Sequence, residues 1–327
     1  MRELIAGIND QINEARKIGD SVDFKPTTAK IQNVLLCGLG GSGIGGTIIS
    51  QLLLSELKVP FVVSKDYNAP AFVGENTLLI ASSYSGNTEE TIAAVEEGKT
   101  KGAEICVITS GGKLAEMAKE NGWNHVIVPG GEQPRAMLTY SLIQQLYMLN
   151  RYGLISDRHI KDLTSIPELI NTNESTVQNE ALIVAKTLHN NIPIIYSDSG
   201  FAGVGTRFKQ QLNENSKELC WDHSLPEMTH NELVGWAGGK EFMAPVYLAT
   251  DYDHPRTTHR WKISKEVIAK QTKNISEIHA KGESKIAQIF YLIHFTDWVS
   301  FFLSELKQID ASEVDVITHL KGEMAKR

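Results

Sequence analysis

The stretch LLIASSYSGNTEET, residues 78–91, begins as an apolar strand, continues through hydroxyl side chains and a glycine, and then starts a helix on two glutamates. An apolar run of this kind is typical of a strand buried on both faces of a parallel sheet. Ser83, Ser85 and Thr88 follow the run, with no lysine or arginine among them. The stretch therefore predicts a strand–turn–helix unit whose turn holds a ligand through neutral donors.

Short apolar runs alternate with helical patterns throughout the first half of the chain. This alternation predicts crossover units and a parallel sheet covered by helices on both faces. The predicted strands lie at 33–38, 59–64, 78–83, 104–110 and 125–130.

The second half repeats the pattern, with strands predicted at 192–200 and 241–251 and a long apolar helix at 284–306. Glycine-rich strand-to-helix turns occupy corresponding places in the two halves, which indicates an internal duplication. The polar stretch 154–162 is the predicted boundary. We predict an α/β fold of two domains, residues 1–153 and 154–327, each a parallel sheet flanked by helices.

Composition restricts the class of ligand and the compartment. The net charge of −7 argues against nucleic acid or an anionic membrane surface as a partner, and favours small metabolites. The N-terminal residues lack an apolar signal core, and we expect no membrane span, which needs about 18 apolar residues. Three cysteines without CxxC spacing indicate thiols in a reducing cytoplasm rather than a disulfide framework.

The glycine turn GLGGSGIGG, residues 38–46, follows the first predicted strand. Strand-to-helix loops of a parallel sheet open on one edge, so this turn and the hydroxyl-rich turn are expected to share one anion. Hydroxyls and free N–H groups at a helix start suit a phosphate monoester. The predicted phosphate site comprises Gly41, Ser42, Ser83, Ser85 and Thr88.

Two other interpretations of these turns stay open. The spacing Gly38-x-Gly40-x-x-Gly43 is also the dinucleotide fingerprint, and Asp66 near the end of the next strand is placed to bind a ribose. The second turn also fits a capping box, with Asn87 as N-cap and Glu90 three residues later.

The segments SSYSGNTEE (82–90), GLGGSGIGG (38–46) and GGEQPRA (130–136) together resemble the sugar isomerase (SIS) domain, specifically the bifunctional phosphoglucose/phosphomannose isomerase family. The likeness spans nearly the whole chain. It implies two SIS domains, no cofactor, hexose 6-phosphate substrates and a homodimer with shared active sites. Departures include Leu39 and Thr47, where the family usually has methionine and aspartate.

The resemblance also implies catalytic residues: Glu214 as the family's glutamate, His230 as its histidine, Arg135 from the PRA motif, and Lys321 as a C-terminal lysine. A glutamate within reach of C1 and C2 of a sugar would move the proton between them. Histidine titrates near neutrality, which suits ring opening, and a fixed arginine stabilises an enediolate oxygen.

Competing functions are a phosphosugar-binding regulator without catalysis and an NAD-dependent dehydrogenase. We expect no metal, because His223 and His230 with Asp222 and Glu227 do not form a familiar ligand spacing. The sequence therefore predicts a cofactor-free cytoplasmic isomerase that interconverts glucose 6-phosphate, and also mannose 6-phosphate, with fructose 6-phosphate.

Overall fold

The computed structural model describes residues 1–324 and 326, and within them the strands form two parallel sheets. The strands of the first sheet are β1 Asn33–Cys37, β2 Phe61–Ser64, β3 Thr77–Ser82, β4 Glu104–Thr109 and β5 Asn124–Ile127. Those of the second sheet are β6 Ile192–Asp198, β7 Trp221–Leu225, β8 Met243–Ala249 and β9 Ser276–His279.

The strand order is β2-β1-β3-β4-β5 in the first sheet and β7-β6-β8-β9 in the second. The second sheet thus repeats the order of the first four strands. In each sheet the first strand along the chain is central: β1 lies between β2 and β3, and β6 lies between β7 and β8. In such an order the loops after the two central strands flank the point where the strand order reverses, which is where ligands bind in open α/β sheets.

Thirteen α-helices connect the strands or precede and follow them in the described part of the chain. The first seven are α1 Arg2–Ala6, α2 Ile8–Ser21, α3 Gly40–Leu52, α4 Glu89–Thr100, α5 Gly112–Asn121, α6 Leu138–Arg151 and α7 Arg158–Asp162. The rest are α8 Ile166–Leu188, α9 Ala202–Ser216, α10 Glu232–Gly235, α11 Pro255–Ile268, α12 Lys285–Leu306 and α13 Asp315–Met324. Short 3₁₀ turns lie at Pro134–Ala136, Leu163–Ser165, Ser199–Phe201, Glu227–His230 and Trp236–Gly238.

The chain divides into two compact units. The first-sheet unit comprises Ala6–Thr172 and Lys281–Tyr291. The second-sheet unit comprises Met1–Ile5, Asn173–Ala280 and the described residues from Leu292 onward. Each unit contains one of the two sheets. The domain boundary predicted between residues 153 and 154 stays a prediction.

All seven strands predicted from the sequence are present, but β7 and β9 were missed. Both lie at the edges of the second sheet, and both contain polar residues, WDHSL and SEIH. An edge strand is partly exposed and therefore lacks the continuous apolar pattern that marked the central strands.

Each sheet packs its own apolar core. The first-sheet core includes Leu35, Leu79 and Val107, and the second is formed around Tyr196, Tyr247 and Trp261. Cys37 and Cys106 are buried in β1 and β4. Burial raises the pKa of the Cys37 thiol to about 12 and also raises the pKa of Cys106, so both act as small apolar residues.

Helix α12 meets the length and hydropathy of a membrane span, with a mean hydropathy of 1.4 over its most apolar window, contrary to the expectation that no segment would. That window is entirely buried, which is the property of the core helix of a globular protein.

A buried polar contact joins α9 to the second half of α12. Arg207 is only 2% exposed; its Nη2 donates to Asp297 Oδ2 at 3.3 Å, and its Nη1 forms an ion pair with Oδ1 at 3.2 Å. Gln211 Nε2 donates to the same carboxylate at 2.8 Å. Two donors on successive turns of α9 therefore hold one acceptor on α12, which sets how the two helices align.

We predict that Asp297→Ala lowers the free energy of unfolding by about 3–5 kcal/mol, because it leaves the Arg207 charge buried without its carboxylate. Urea unfolding followed by tryptophan fluorescence measures the loss. The control is Asp157→Ala, which removes an exposed pair with Lys161 and is expected to cost no more than about 1 kcal/mol. Equal effects of the two substitutions would contradict the prediction.

Candidate active site

The pairing of β1 with β3 brings the two predicted phosphate turns together. Cys37 lies opposite Ala81 at the carboxyl ends of the strands. A Cβ added to Gly38 would lie 2.7 Å from the Ser82 carbonyl oxygen and 3.2 Å from the Ser42 Cβ. The glycine turn can therefore approach the hydroxyl turn this closely only without a side chain at position 38.

The hydroxyl turn is preorganised by its own hydrogen bonds. Ser83 Oγ and Thr88 Oγ1 are 2.7 Å apart, and Ser83 Oγ accepts from the Gly86 N–H at 3.2 Å. Ser85 Oγ accepts from the Asn87 N–H at 3.3 Å. Ser83 is buried, Thr88 is half-buried and Ser85 is exposed. The exposure of the three hydroxyl residues therefore increases from the sheet edge towards solvent.

The capping box predicted at Asn87 and Glu90 is wrong. Thr88 is the N-cap of α4, and its side chain makes no capping hydrogen bond. The Asn87 side chain turns away and accepts from the Lys113 N–H at 3.0 Å. The start of α4 thus offers backbone donors and the positive end of the helix dipole to an anion.

The glycine turn leads directly into α3, whose first turn contains Gly41 and Ser42. Leu39 is its N-cap and has no hydroxyl or carboxylate to offer the helix N–H groups. A Cβ on Gly41 would lie 3.4 Å from the Pro134 carbonyl oxygen and 4.0 Å from the Arg135 Cα. The PRA segment therefore passes beside the turn, as its predicted role requires.

Arg135 lies in the 3₁₀ turn before α6 and is 5% exposed. Its Nη1 donates to Gln133 Oε1 at 3.1 Å, a local contact that helps to orient the guanidinium. A cation held in a water-poor position beside the glycine turn can stabilise negative charge on a bound ligand.

A second cation near the turn was missed at the level of sequence. Lys65 follows β2, and its Cε lies 3.4 Å from the position that a Cβ on Gly43 would occupy. Its position could have been inferred from the topology, because β2 pairs in parallel with β1 and the carboxyl ends of both strands lie at the same edge of the sheet. Asp66, the residue considered for ribose binding, is exposed and accepts from the Tyr67 N–H at 2.6 Å.

A narrow pocket opens between the two turns and α6. Tyr84 borders it, and burial raises the pKa of this phenol, whose oxygen accepts from the Glu132 N–H at 3.2 Å. The phenol is therefore a neutral hydrogen-bonding group at neutral pH. The pocket is lined by Gly41, Ser42, Ser82, Tyr84, Ile108, Thr109, Val128, Pro134, Met137, Leu138, Tyr140 and Ser141.

In the second-sheet unit, Glu214 lies in the last turn of α9. Its side chain is half-buried, and its carbonyl accepts from Lys217 Nζ at 2.9 Å. Lys217 then adopts a left-handed conformation (φ 49°) and ends the helix. Glu214 is therefore held on a helix whose position α12 fixes through Asp297.

His230 ends the 3₁₀ turn Glu227–His230 and is exposed. Of the large apolar residues around it, Leu225, Met228 and Trp236 are buried in the second-sheet core. Trp221 and Val234 are 38% and 78% exposed. The turn thus rests on the core and presents His230 outward.

Lys321 lies on α13 and is exposed. The same helix exposes Val316, Ile317, Leu320 and Met324, with Val316 at 80% and Leu320 at 60%. These positions follow the spacing of one helical face. Among the described residues, no group of three or more histidine, cysteine, aspartate or glutamate side chains is arranged to hold a metal ion.

Family models match both halves of the chain. Residues 28–153 match the SIS domain, and residues 177–324 match the bacterial phospho-glucose isomerase C-terminal SIS domain. The chain is 37% identical to the bifunctional phosphoglucose/phosphomannose isomerase of Caldicellulosiruptor bescii, over 100% of this chain and 99% of the relative. The chain belongs to this isomerase family. It is a phosphosugar isomerase, which excludes the non-catalytic and dehydrogenase alternatives as its primary class.

Other relatives extend the comparison. The bifunctional phosphoglucose/phosphomannose isomerase of Aquifex aeolicus is 37% identical over 93% of this isomerase and 94% of its own length. D-glucosamine-6-phosphate 4-epimerase of Sulfolobus acidocaldarius is 32% identical over 69% and 71%. The fold is similar to that of tagatose-6-phosphate ketose/aldose isomerase from Escherichia coli, with a TM-score of 0.70, 15% identity, and coverage of 95% and 94%.

We predict that Gly86→Ala disrupts the hydroxyl turn of this isomerase. Gly86 has φ +69°, and an added Cβ would lie 1.8 Å from the Gly111 carbonyl oxygen, so the turn must move. Binding of inorganic phosphate, measured by thermal shift or calorimetry, is expected to weaken at least about 10-fold as helix and hydroxyl donors lose their alignment.

The matched control is Gly74→Ala, because the nearest atom to its added Cβ is 3.9 Å away. This variant is expected to bind phosphate as the wild type does. Wild-type phosphate affinity in Gly86→Ala would show that the turn does not carry the anion site.

Proposed function

We propose that this isomerase interconverts glucose 6-phosphate and mannose 6-phosphate with fructose 6-phosphate through an enediol(ate), without a cofactor. The names of its relatives in Caldicellulosiruptor bescii and Aquifex aeolicus support both hexoses. The observation that carries the proposal is the pair of helix starts, α3 and α4, which lie beside each other without side-chain caps in the described chain.

A phosphate monoester fits this arrangement better than a larger anion. We assign its binding to Gly41, Ser42, Ser83, Ser85 and Thr88. Neutral hydroxyls and backbone N–H groups satisfy phosphate oxygens directly, and the two helix dipoles favour the negative charge. The two cations beside the glycine turn, Arg135 and Lys65, add charge complementarity without occupying the turn itself.

Proton transfer between C1 and C2 is assigned to Glu214. Its half-buried position in the last turn of α9 supports this role, since a proton shuttle needs a carboxylate that the fold holds in place. We assign stabilisation of the enediolate oxygen to Arg135, whose low exposure strengthens its electrostatic effect.

Ring opening is assigned to His230, because a histidine exchanges protons readily near neutral pH. Lys321 is proposed to assist ring opening or to bind a sugar hydroxyl. Both residues are exposed in the single chain, which is compatible with groups that meet a substrate or a second subunit.

The test is a coupled assay over a panel of hexose 6-phosphates, with a chelator present throughout. Conversion of fructose 6-phosphate to both glucose 6-phosphate and mannose 6-phosphate is the expected result.

A second candidate, epimerisation of glucosamine 6-phosphate, follows from the relative in Sulfolobus acidocaldarius, so this sugar belongs in the panel. Turnover of the amino sugar alone would replace the proposal.

Glu214→Gln is predicted to lower turnover at least about 10²-fold, because the amide keeps the shape of the side chain but cannot act as the base. Steady-state assays should show a largely unchanged affinity for substrate. The control, Glu116→Gln, changes an exposed helical glutamate on α5 and should leave turnover unchanged. Turnover of Glu214→Gln within a few-fold of the wild type would remove the assignment.

We further propose that the protein is a cytoplasmic homodimer. Free thiols at Cys37, Cys106 and Cys220 support a reducing compartment. The apolar face of α13 supports association with a second copy, since exposed apolar helical faces commonly mark interfaces. We infer that His230 completes the active site of the neighbouring subunit.

Subunit mixing tests the shared site. Glu214→Gln and His230→Ala proteins, each strongly impaired, are combined in equal amounts under conditions that exchange subunits. If the site is shared, a mixed dimer has one site with both lesions and one with neither, so random mixing restores about a quarter of wild-type activity. Demonstrated exchange without recovery would mean that both residues serve the site of their own chain.

A further inference from the structure

Glu232 is the first residue of α10, two positions after His230, and its carboxylate is the centre of a hydrogen-bond cluster. One oxygen accepts from the Tyr196 hydroxyl, in a short contact, and from Trp221 Nε1 at 3.2 Å. The other oxygen lies 2.7 Å from His223 Nδ1. These three partners come from β6 and β7, so one side chain ties the start of α10 to two adjacent strands.

The cluster continues into the core. Trp236 Nε1 donates to the Tyr196 hydroxyl at 2.9 Å, and Trp236 is 4% exposed. On the other side of His230, Arg260 Nη1 donates to Thr229 Oγ1 at 2.8 Å. His230 therefore lies between two attachment points, at Thr229 and at Glu232.

The elements that carry His230 cannot fix its position by themselves. The 3₁₀ turn Glu227–His230 and helix α10 have four residues each, too short to be stable without tertiary contacts. Of the two attachments, the one at Thr229 is a single bond to a hydroxyl. The one at Glu232 uses both carboxylate oxygens and three partner side chains on two strands, so it restrains the turn in more than one direction.

We propose that Glu232 is a positioning residue, which holds the turn so that His230 is presented in one orientation for acid/base work. The proposal rests on the proposed function, through the role assigned to His230. Glu232 acts on the reaction only through the backbone of this turn. Replacing it with glutamine removes the carboxylate charge and leaves a single acceptor oxygen, so the charge-assisted bonds that tie the turn to β6 and β7 are weakened.

The experiment is a double-mutant cycle between Glu232→Gln and His230→Ala in the full-length protein. Glu232→Gln alone is expected to lower kcat about 10- to 100-fold with KM changed less than about 3-fold, because misplacing a catalytic group costs rate rather than binding. In the His230→Ala background the same substitution should have almost no further effect on residual kcat. Tyr196→Phe, which removes one donor to the carboxylate, should act in the same direction as Glu232→Gln and more weakly.

The matched control is Glu241→Gln, an exposed glutamate of the same unit, which should keep wild-type kcat. If Glu232→Gln lowers kcat by the same factor with and without His230, the residue acts on general structure and the proposal is wrong. Wild-type kcat in Glu232→Gln would overturn it as well.

A separate readout distinguishes this proposal from the proposed function. Amide hydrogen exchange at residues 227–235 is expected to be about 10-fold faster or more in Glu232→Gln than in Glu241→Gln. If the wild-type protein converts none of the hexose 6-phosphates, the proposed function fails while faster exchange still supports the positioning role. Unchanged exchange would refute that role whatever the substrate.

Discussion

The close approach of β1 and β3 at their carboxyl ends is the constraint on which the candidate phosphate site depends. A glycine at position 38 allows the first turn to lie against the Ser82 carbonyl, so two helix starts face one small volume. Neither start satisfies its backbone donors with a side-chain cap in the described chain, which leaves those donors available for an anion. Without the parallel pairing, each turn would be an ordinary helix start.

The second sheet shows what the same topology does when the turns differ. There Asp198 ends β6 and accepts from the Gly200 N–H at 2.8 Å, and the His254 side chain caps α11. Burial raises the pKa of the nearby Asp253, whose carboxylate accepts from the Tyr247 hydroxyl at 2.7 Å. Side chains of this unit thus cap the 3₁₀ turn after β6 and the start of α11, whereas the N-cap residues of α3 and α4 in the first-sheet unit make no side-chain cap.

The two residues proposed for acid/base chemistry are each held in place by a neighbouring carboxylate that accepts several hydrogen bonds. Glu214 lies at the end of a helix aligned by Arg207 and Asp297, and His230 lies in a turn attached through Glu232. In both cases a carboxylate with several donors fixes an element that would be free to shift if it were held by apolar contacts alone. Directional bonds specify a single arrangement, whereas apolar burial tolerates small displacements.

The sequence alone determined the central strands, the two-domain α/β class and the family, because buried strands carry continuous apolar runs and the phosphate turns need particular glycines and hydroxyls. It did not reveal the edge strands β7 and β9, whose polar residues show no such run, and the capping box that it left open at Asn87 is not formed. Only the tertiary structure placed Lys65 beside Gly43 and Glu232 among its partners from β6 and β7. Those contacts join residues distant along the chain, and no local pattern encodes which distant donor an exposed-looking lysine or glutamate will meet.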